Sequence, residues 1–300
     1  MVELVQNTVP EQARIFDRRL LRERRSRAAT DLHAHDFLLT EIAERLADRL
    51  SDIARAFPLA LDLGARDGIL ARTLTGRGAI ETLIQSDAAL INAERARRSG
   101  PSLVADEEAL PFQAQCFDAV LSNLTLHWVN DLPGALAQIR NNLKPDGLFL
   151  ATLFGTGTLA ELRTALMEAE LAEMGGASPR VSPFADLRDA AGLLQRAGFA
   201  LPVADVDTVT VTYSDVFALL RDLRGMGETN ALFDRLRHPT RRTIFARAAA
   251  IYQERFADRE GRLPATFQIL FLTGWAPDPS QQQPARRGSG KTSLKDVLGS

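Results

Sequence analysis

Residues 58–72 read Pro-Leu-Ala-Leu-Asp-Leu-Gly-Ala-Arg-Asp-Gly-Ile-Leu-Ala-Arg. Leu59 to Leu63 is a short, largely apolar run of the length of a buried strand. Gly64 stops it, Gly68 follows four residues later, and Ile69 to Leu74 reads as the opening of a helix. A strand, a glycine turn and a helix start within fifteen residues form a nucleotide crevice in an open α/β sheet. Gly64 can turn the chain where a Cβ would clash, and the helix start offers unpaired N–H groups to a ligand. Taken alone, the stretch also fits an ordinary strand-to-helix connection, so its surroundings decide.

Downstream the pattern repeats. Ala79–Gln85 reads as strand and Ala88–Arg98 as helix. Ser102–Ala105 and Phe117–Ser122 read as strands, Leu132–Leu143 as helix and Gly147–Phe154 as strand. Such alternation gives right-handed βαβ units and a doubly wound parallel sheet with helices on both faces. Ligands of these sheets lie beyond the carboxyl ends of the strands. The second strand ends in Ser86-Asp87, nineteen residues after Gly68, where a carboxylate can hold a ribose diol. Asp106-Glu107-Glu108 follows the third strand, and Ser122-Asn123 closes the fourth, just ahead of His127-Trp128. Each acid alone also fits a helix cap or a solvated turn; their agreement at successive strand ends is the stronger signal.

Composition bounds the class. Three hundred residues with 45% hydrophobic and 25% charged content suit a globular chain with a substantial core. A net charge of −2 gives no electrostatic case for nucleic acid. The single cysteine, Cys116, excludes an internal disulfide and fits a reducing compartment. No apolar run approaches the length of a membrane span, although peripheral membrane contact stays open. The first residues lack the pattern of a secretory signal.

The series Leu61-Asp62-Leu63-Gly64, Ser86-Asp87, Ala105 to Phe112, Phe117-Asp118 and Leu143-Lys144-Pro145-Asp146-Gly147 resembles class I S-adenosylmethionine-dependent methyltransferases over roughly 55–155. A closer resemblance runs through nearly the whole chain. It is carried by Ile15-Phe16-Asp17-Arg18, Phe57 to Gly64, Leu126 to Pro133, Ser182-Pro183-Phe184, Asp222 to Asn230 and Pro264 to Ile269. These are similar to the methyltransferase-fold assembly factor family of mitochondrial respiratory complex I, whose members hydroxylate an arginine of a complex I subunit. The chain lacks an Arg-rich, acid-poor presequence, so it resembles a bacterial, cytoplasmic relative. The malonyl-carrier-protein methyltransferases of biotin synthesis look more distant, and similar mainly in the nucleotide half.

The resemblance implies a seven-stranded Rossmann-like sheet with S-adenosylmethionine as cofactor and a complex I subunit as protein substrate. Asp87 is then expected at the ribose, Asp106 at the adenine, and Gly64 and Gly68 at the methionyl end. Asp62, Arg66, Glu107 and Ser122 complete the cofactor set, with Ser122 and Asn123 at the mouth and His127 as candidate base. Methyl transfer to a protein is the first reading. Arginine hydroxylation and a non-catalytic chaperone are the alternatives. One departure stands out: the middle glycine usual in the first turn is Arg66. Its side chain must point away or pair with the methionyl carboxylate. No metal site is expected, since no two of His33, His35, His127 and His238 stand at helical ligand spacing.

The organisation expected is a helical arm over 1–56, a cofactor core over 57–155, a helical lid with the remaining strands over 156–276, and a flexible tail over 277–300. Within the arm, 10–28 is a basic helix, either docked by one apolar face or covering the cofactor or an acidic partner; 37–55 is an amphipathic helix. Leu159–Met174 and Asp186–Ala197 read as helices, Asp207–Tyr213 and Phe267–Trp275 as the last strands, and 214–258 as a helical insertion between them. The stretch 285–292 mimics a phosphate loop without the strand and helix that one needs.

Overall fold

The computed structural model describes residues 14–282; the phosphate-loop mimic lies outside them. α1 (Arg18–Ala28) and α2 (Phe37–Ser51) precede the sheet. Then come β1 (Phe57–Leu63), α3 (Ile69–Thr73), β2 (Ile80–Asp87), α4 (Leu90–Ala96), β3 (Ser102–Val104) and β4 (Phe117–Asn123). They are followed by α5 (Leu132–Asn142), β5 (Leu143–Phe154), α6 (Ala160–Met174), α7 (Leu187–Arg196) and β6 (Ala200–Tyr213). The chain continues with α8 (Val216–Gly225), α9 (Arg242–Phe256) and β7 (Leu263–Trp275).

The seven strands form one sheet in the order β3-β2-β1-β4-β5-β7-β6. β1 pairs in parallel with β2 and β4, and β4 in parallel with β5. β7 runs antiparallel to both β5 and β6. The order reverses beside β1, so its carboxyl end opens the crevice where such sheets bind ligands.

The two faces of the sheet carry separate cores. On one, Leu38, Leu39, Ile42, Leu46 and Leu50 of α2 pack with Ala60, Leu148, Leu150 and residues of α6, α8 and α9. On the other, α5 and α7 cover Leu61, Leu63, Val120 and Phe149. A third, small cluster joins Phe16 and Leu21 to Trp128, Ala231 and Leu232. It pins α1 to the loop after β4 and to the insertion before β7.

Three readings need correction. β6 and β7 begin well before Asp207 and Phe267, because they pair along nearly their whole lengths. β6 is an edge strand whose exposed residues hide its pattern. The stretch 214–258 is not continuous helix: α8 ends at Gly225, Gly227 takes a left-handed φ of 76°, and helix resumes only at Arg242. The 10–28 segment is helical only from Arg18 among the described residues, where Asp17 caps the Leu20 N–H at 3.0 Å.

At the β1–α3 turn, Gly64 has φ 82° and Gly68 has φ 87°. A Cβ on Gly64 would collide with the Thr125 side chain. Gly64→Ala is therefore expected to destabilise the fold by at least about 2 kcal/mol, from left-handed strain and overpacking together. Urea unfolding of the two proteins measures it.

Candidate functional site

Asp87 ends β2 beside the first turn. Its Oδ2 accepts from the Arg66 N–H at 3.0 Å, and its Oδ1 from the Ala89 N–H at 2.8 Å and Asn92 Nδ2 at 3.2 Å. One carboxylate thus fixes the first turn and the start of α4. Burial pushes its pKa up, while Arg25 opposes the shift. On β1, Asp62 is fully buried and neither carboxylate oxygen has a hydrogen-bond partner. Burial, then the neighbouring Asp87 charge, push its pKa up to about 8.

Arg66 turns its backbone into the left-handed region, at φ 55°. Its side chain points to the insertion: Nη1 donates to the Met226 carbonyl at 3.0 Å and Nη2 to Glu228 Oε1. Glu228 Oε2 accepts from Trp128 Nε1 at 2.7 Å and meets His127 Nε2 at 3.2 Å. One glutamate therefore ties together the β1 turn, the loop after β4 and the insertion. Burial would raise its pKa, but the His127 hydrogen bond and the Arg66 charge overcome that and bring it down to about 2. Burial lowers the pKa of His127, with the Glu228 hydrogen bond opposing. A neutral His127 that donates from Nε2 to Glu228 leaves Nδ1 unprotonated, and Nδ1 has no partner.

The acids after β3 meet α1. Asp106 accepts from Arg18 Nη2 at 2.6 Å, and Glu107 pairs with the same guanidinium group. Glu107 Oε1 stands 3.8 Å from Arg25 Nη1. Arg25 is 2% exposed, and its Nε and Nη2 have no hydrogen-bond partner. Its charged neighbours are Arg66, Glu228, Glu107 and Asp87. Burial, then Arg66, bring its pKa down to about 10.

Beyond β4, the Ser122 hydroxyl donates to the Leu63 carbonyl at 2.8 Å. Asn123 Nδ2 donates to the Leu39 carbonyl at 2.8 Å, and its Oδ1 accepts from Thr152 at 2.9 Å. Asn123 lines the crevice with Asp62, Gly64 and Arg66. His127 does not line the larger cavity next door, whereas Glu228 and Trp128 do. That cavity holds about 210 Å³. Phe154, Phe184, Phe245 and Phe267 form its apolar wall, and Arg180 and Arg224 enter it. The insertion therefore lies over the strand ends. Among the described residues no three His, Cys, Asp or Glu side chains gather as a metal site. His35 instead bonds Asp222 on α8 at 2.7 Å.

Arg18, Arg25 and Glu228 were absent from the sequence-derived set. Arg18, Leu21 and Arg25 do recur at the spacing of one helix face, and Glu228 stands just past the Gly225-Met226-Gly227 break.

The residues matching a methyltransferase domain model are 61–151. The strand order, with its antiparallel β7, and this crevice define a class I methyltransferase fold, whose cofactor is S-adenosylmethionine. The chain belongs to the family of the mitochondrial arginine hydroxylase NDUFAF5. It is 43% identical over 288 residues to the Danio rerio member, covering 94% of this chain and 89% of the relative. The Homo sapiens member is 44% identical over 296 residues, covering 97% and 85%. The malonyl-[acyl-carrier protein] O-methyltransferase of Xylella fastidiosa (strain M23) is 34% identical over 270 residues, covering 88% of this chain and 89% of the relative. That likeness reaches well past the nucleotide half expected of it. The YcgJ protein of Bacillus subtilis shares the fold at a TM-score of 0.54 and 16% identity, covering 78% of this chain and 98% of that protein.

The crevice suits such a cofactor in its chemistry. Asp62, which lines it, offers buried acceptors without partners, as the ammonium group of an amino-acid end requires. Its free space is about 10 Å³, far below the roughly 300–1,000 Å³ of small-molecule pockets. Entry of a nucleoside therefore requires the residues that line it to move.

The Arg66–Glu228 pair sets a pH prediction. A carboxyl group whose pKa falls from 4.5 to about 2 on folding stabilises the protein above pH 4.5. That contribution is lost as pH drops through about 2. Glu228→Gln is expected to flatten the acid limb of the stability curve in this window. At neutral pH it costs about 3 kcal/mol, since Arg66 is left buried without its counter-charge. Denaturant titrations from pH 7 down to pH 2 would show both effects.

Proposed function

We propose that this protein is an S-adenosylmethionine-binding enzyme that modifies an arginine side chain of a protein destined for respiratory complex I. One observation carries the arginine reading: the 210 Å³ cavity beside the crevice is lined by Glu228 together with Trp128, Phe154, Phe184, Phe245 and Phe267. A guanidinium group is planar and cationic, stacks on aromatic faces and pairs with carboxylates. The names of the 43–44% identical relatives, arginine hydroxylases, support the same acceptor. The complex I connection rests on the family resemblance.

Methyl transfer and hydroxylation remain the two chemistries. The methyltransferase domain match favours the first and the arginine-hydroxylase relatives favour the second. Under either, Asp87 is proposed to hold the ribose and Asp106 and Glu107 the adenine side. Gly64, Gly68, Asp62 and Arg66 shape the methionyl end, and Ser122 and Asn123 bound the mouth. When bound, the cofactor supplies a sulfonium methyl group. The chain's own residues exclude water through the Phe154 and Phe184 wall and fix the acceptor against Glu228. His127 acts through Glu228, holding its Oε2, and so positions the carboxylate rather than reaching the cavity. The proposed setting is the bacterial cytoplasm; no helix among the described residues is long and apolar enough to cross a membrane.

Comparing complex I subunits from wild-type and deletion strains by mass spectrometry separates the readings. Loss of one oxygen from an arginine peptide is the result expected of hydroxylation, and loss of a methylene that of methyl transfer. Unchanged arginine peptides with poor complex assembly would contradict both and support a chaperone.

A further inference from the structure

A second, wider cavity of about 630 Å³ lies between α1 and α8. Arg24 and Arg27 of α1 and Arg221 and Arg224 of α8 line it, with Asp31 and His35. Within each helix the two arginines stand three residues apart and so share a face. Like charges that close oppose the helix that carries them. Little on the chain offsets them. Asp31 is the one carboxylate among the described lining residues, and it already faces His33 at 4.0 Å and His35 at 3.9 Å. Arg27 reaches Glu23 at 3.6 Å. Arg24 Nη1 donates to the Asn230 carbonyl, and burial, then the charges of Arg235 and Arg27, lower its pKa. Arg221 lies near the charge of Asp215, the cap of α8. Among the described residues the Arg221 and Arg224 side chains make no hydrogen bond or ion pair.

The place of this positive surplus gives it a meaning. Arg224 and Thr229 line both this cavity and the aromatic one, so the two adjoin across those residues. The other arginine of the aromatic cavity, Arg180, is neutralised: it meets Glu170 at 2.6 Å and donates to Thr240 at 2.6 Å. Arg224 has no such partner and repels an incoming guanidinium group. A carboxylate on the same polypeptide, one or a few residues from the acceptor, pairs with Arg224 and removes that repulsion.

We propose that the basic cavity between α1 and α8 binds an acidic segment of the substrate polypeptide, adjacent to the arginine seated in the aromatic cavity. This rests on the protein-arginine reading above and names the kind of sequence selected. Acidic flanks are attracted and basic flanks are rejected by the same four guanidinium groups. Those groups line one cavity and form no stripe along which a nucleic-acid backbone can run. The net charge of −2 adds no long-range field for one.

Fluorescence anisotropy with short labelled peptides tests this on the full chain. Each peptide carries one central arginine, flanked by Asp and Glu, by Asn and Gln, or by Lys. The acid-flanked peptide should bind roughly ten-fold more tightly than the amide-flanked one, as a few exposed ion pairs provide. The gap should close as salt rises. Arg221→Glu alters an exposed side chain that holds nothing in the fold. It should erase most of the gap, leave the amide-flanked peptide unchanged and strengthen the Lys-flanked one. Arg221→Lys, which keeps the charge, should retain the preference. Equal affinity for the acid- and amide-flanked peptides, or a preference that survives Arg221→Glu, overturns the proposal and leaves the arginine reading standing. An oligothymidylate that outcompetes the acid-flanked peptide overturns it in favour of nucleic acid. An acid-flanked peptide with glutamine in place of its arginine tests the reading underneath. Weaker binding than the arginine peptide supports the proposal. Equal binding overturns the arginine reading, and the adjacency proposed here with it.

Discussion

The ion pair between Arg66 and Glu228 holds the site together. Both side chains are almost wholly buried, at 4% and 5% exposure. Breaking such a pair by removing one partner costs several kcal/mol. It joins the first turn of the sheet to a segment 162 residues away. Through Glu228 it also reaches His127 and Trp128 on the loop after β4. Trp128 in turn packs edge-on against Phe16, with ring centroids 5.2 Å apart, and so anchors the chain entering α1. Crevice, acceptor cavity and covering helix meet around one carboxylate.

This arrangement explains a departure from the usual first turn. A glycine in the middle position lets backbone approach the ligand. Arg66 keeps the left-handed conformation such a position requires and sends its side chain elsewhere. Its N–H still bonds Asp87, so the link between the β1 turn and the end of β2 survives the substitution. The cost of a non-glycine residue at φ 55°, about 1–3 kcal/mol, is offset by the bonds to Met226 and Glu228.

The sheet and one edge of the site could be read from the sequence because their signals are local. A strand, a glycine turn and a helix start lie within fifteen residues, and each later strand end carries its own polar residue. Asp62 and Asn123 line the crevice with Gly64, and Asp87 bonds the same turn through the Arg66 N–H. Glu228 could not be read in that way, since its partners lie 100 to 162 residues off in sequence. Arg25 was masked by its setting. Among the six arginines of α1, the two buried ones, Arg18 and Arg25, look in sequence like the solvated ones. The pairing of Asp106 and Glu107 with Arg18 was likewise hidden, since 88 and 89 residues separate them in sequence.

The free space at the turn is small, so ligand entry must displace its neighbours, and α1, whose Arg18 pairs with Asp106 and Glu107, is the element expected to respond. Hydrogen–deuterium exchange of the full chain, with and without S-adenosylhomocysteine, tests that claim most directly. The account predicts that amides of Arg18–Ala28 exchange more slowly with ligand bound, together with those of the Gly64–Gly68 turn, while α9 is unaffected. Protection of the turn with unchanged exchange in α1 would contradict it.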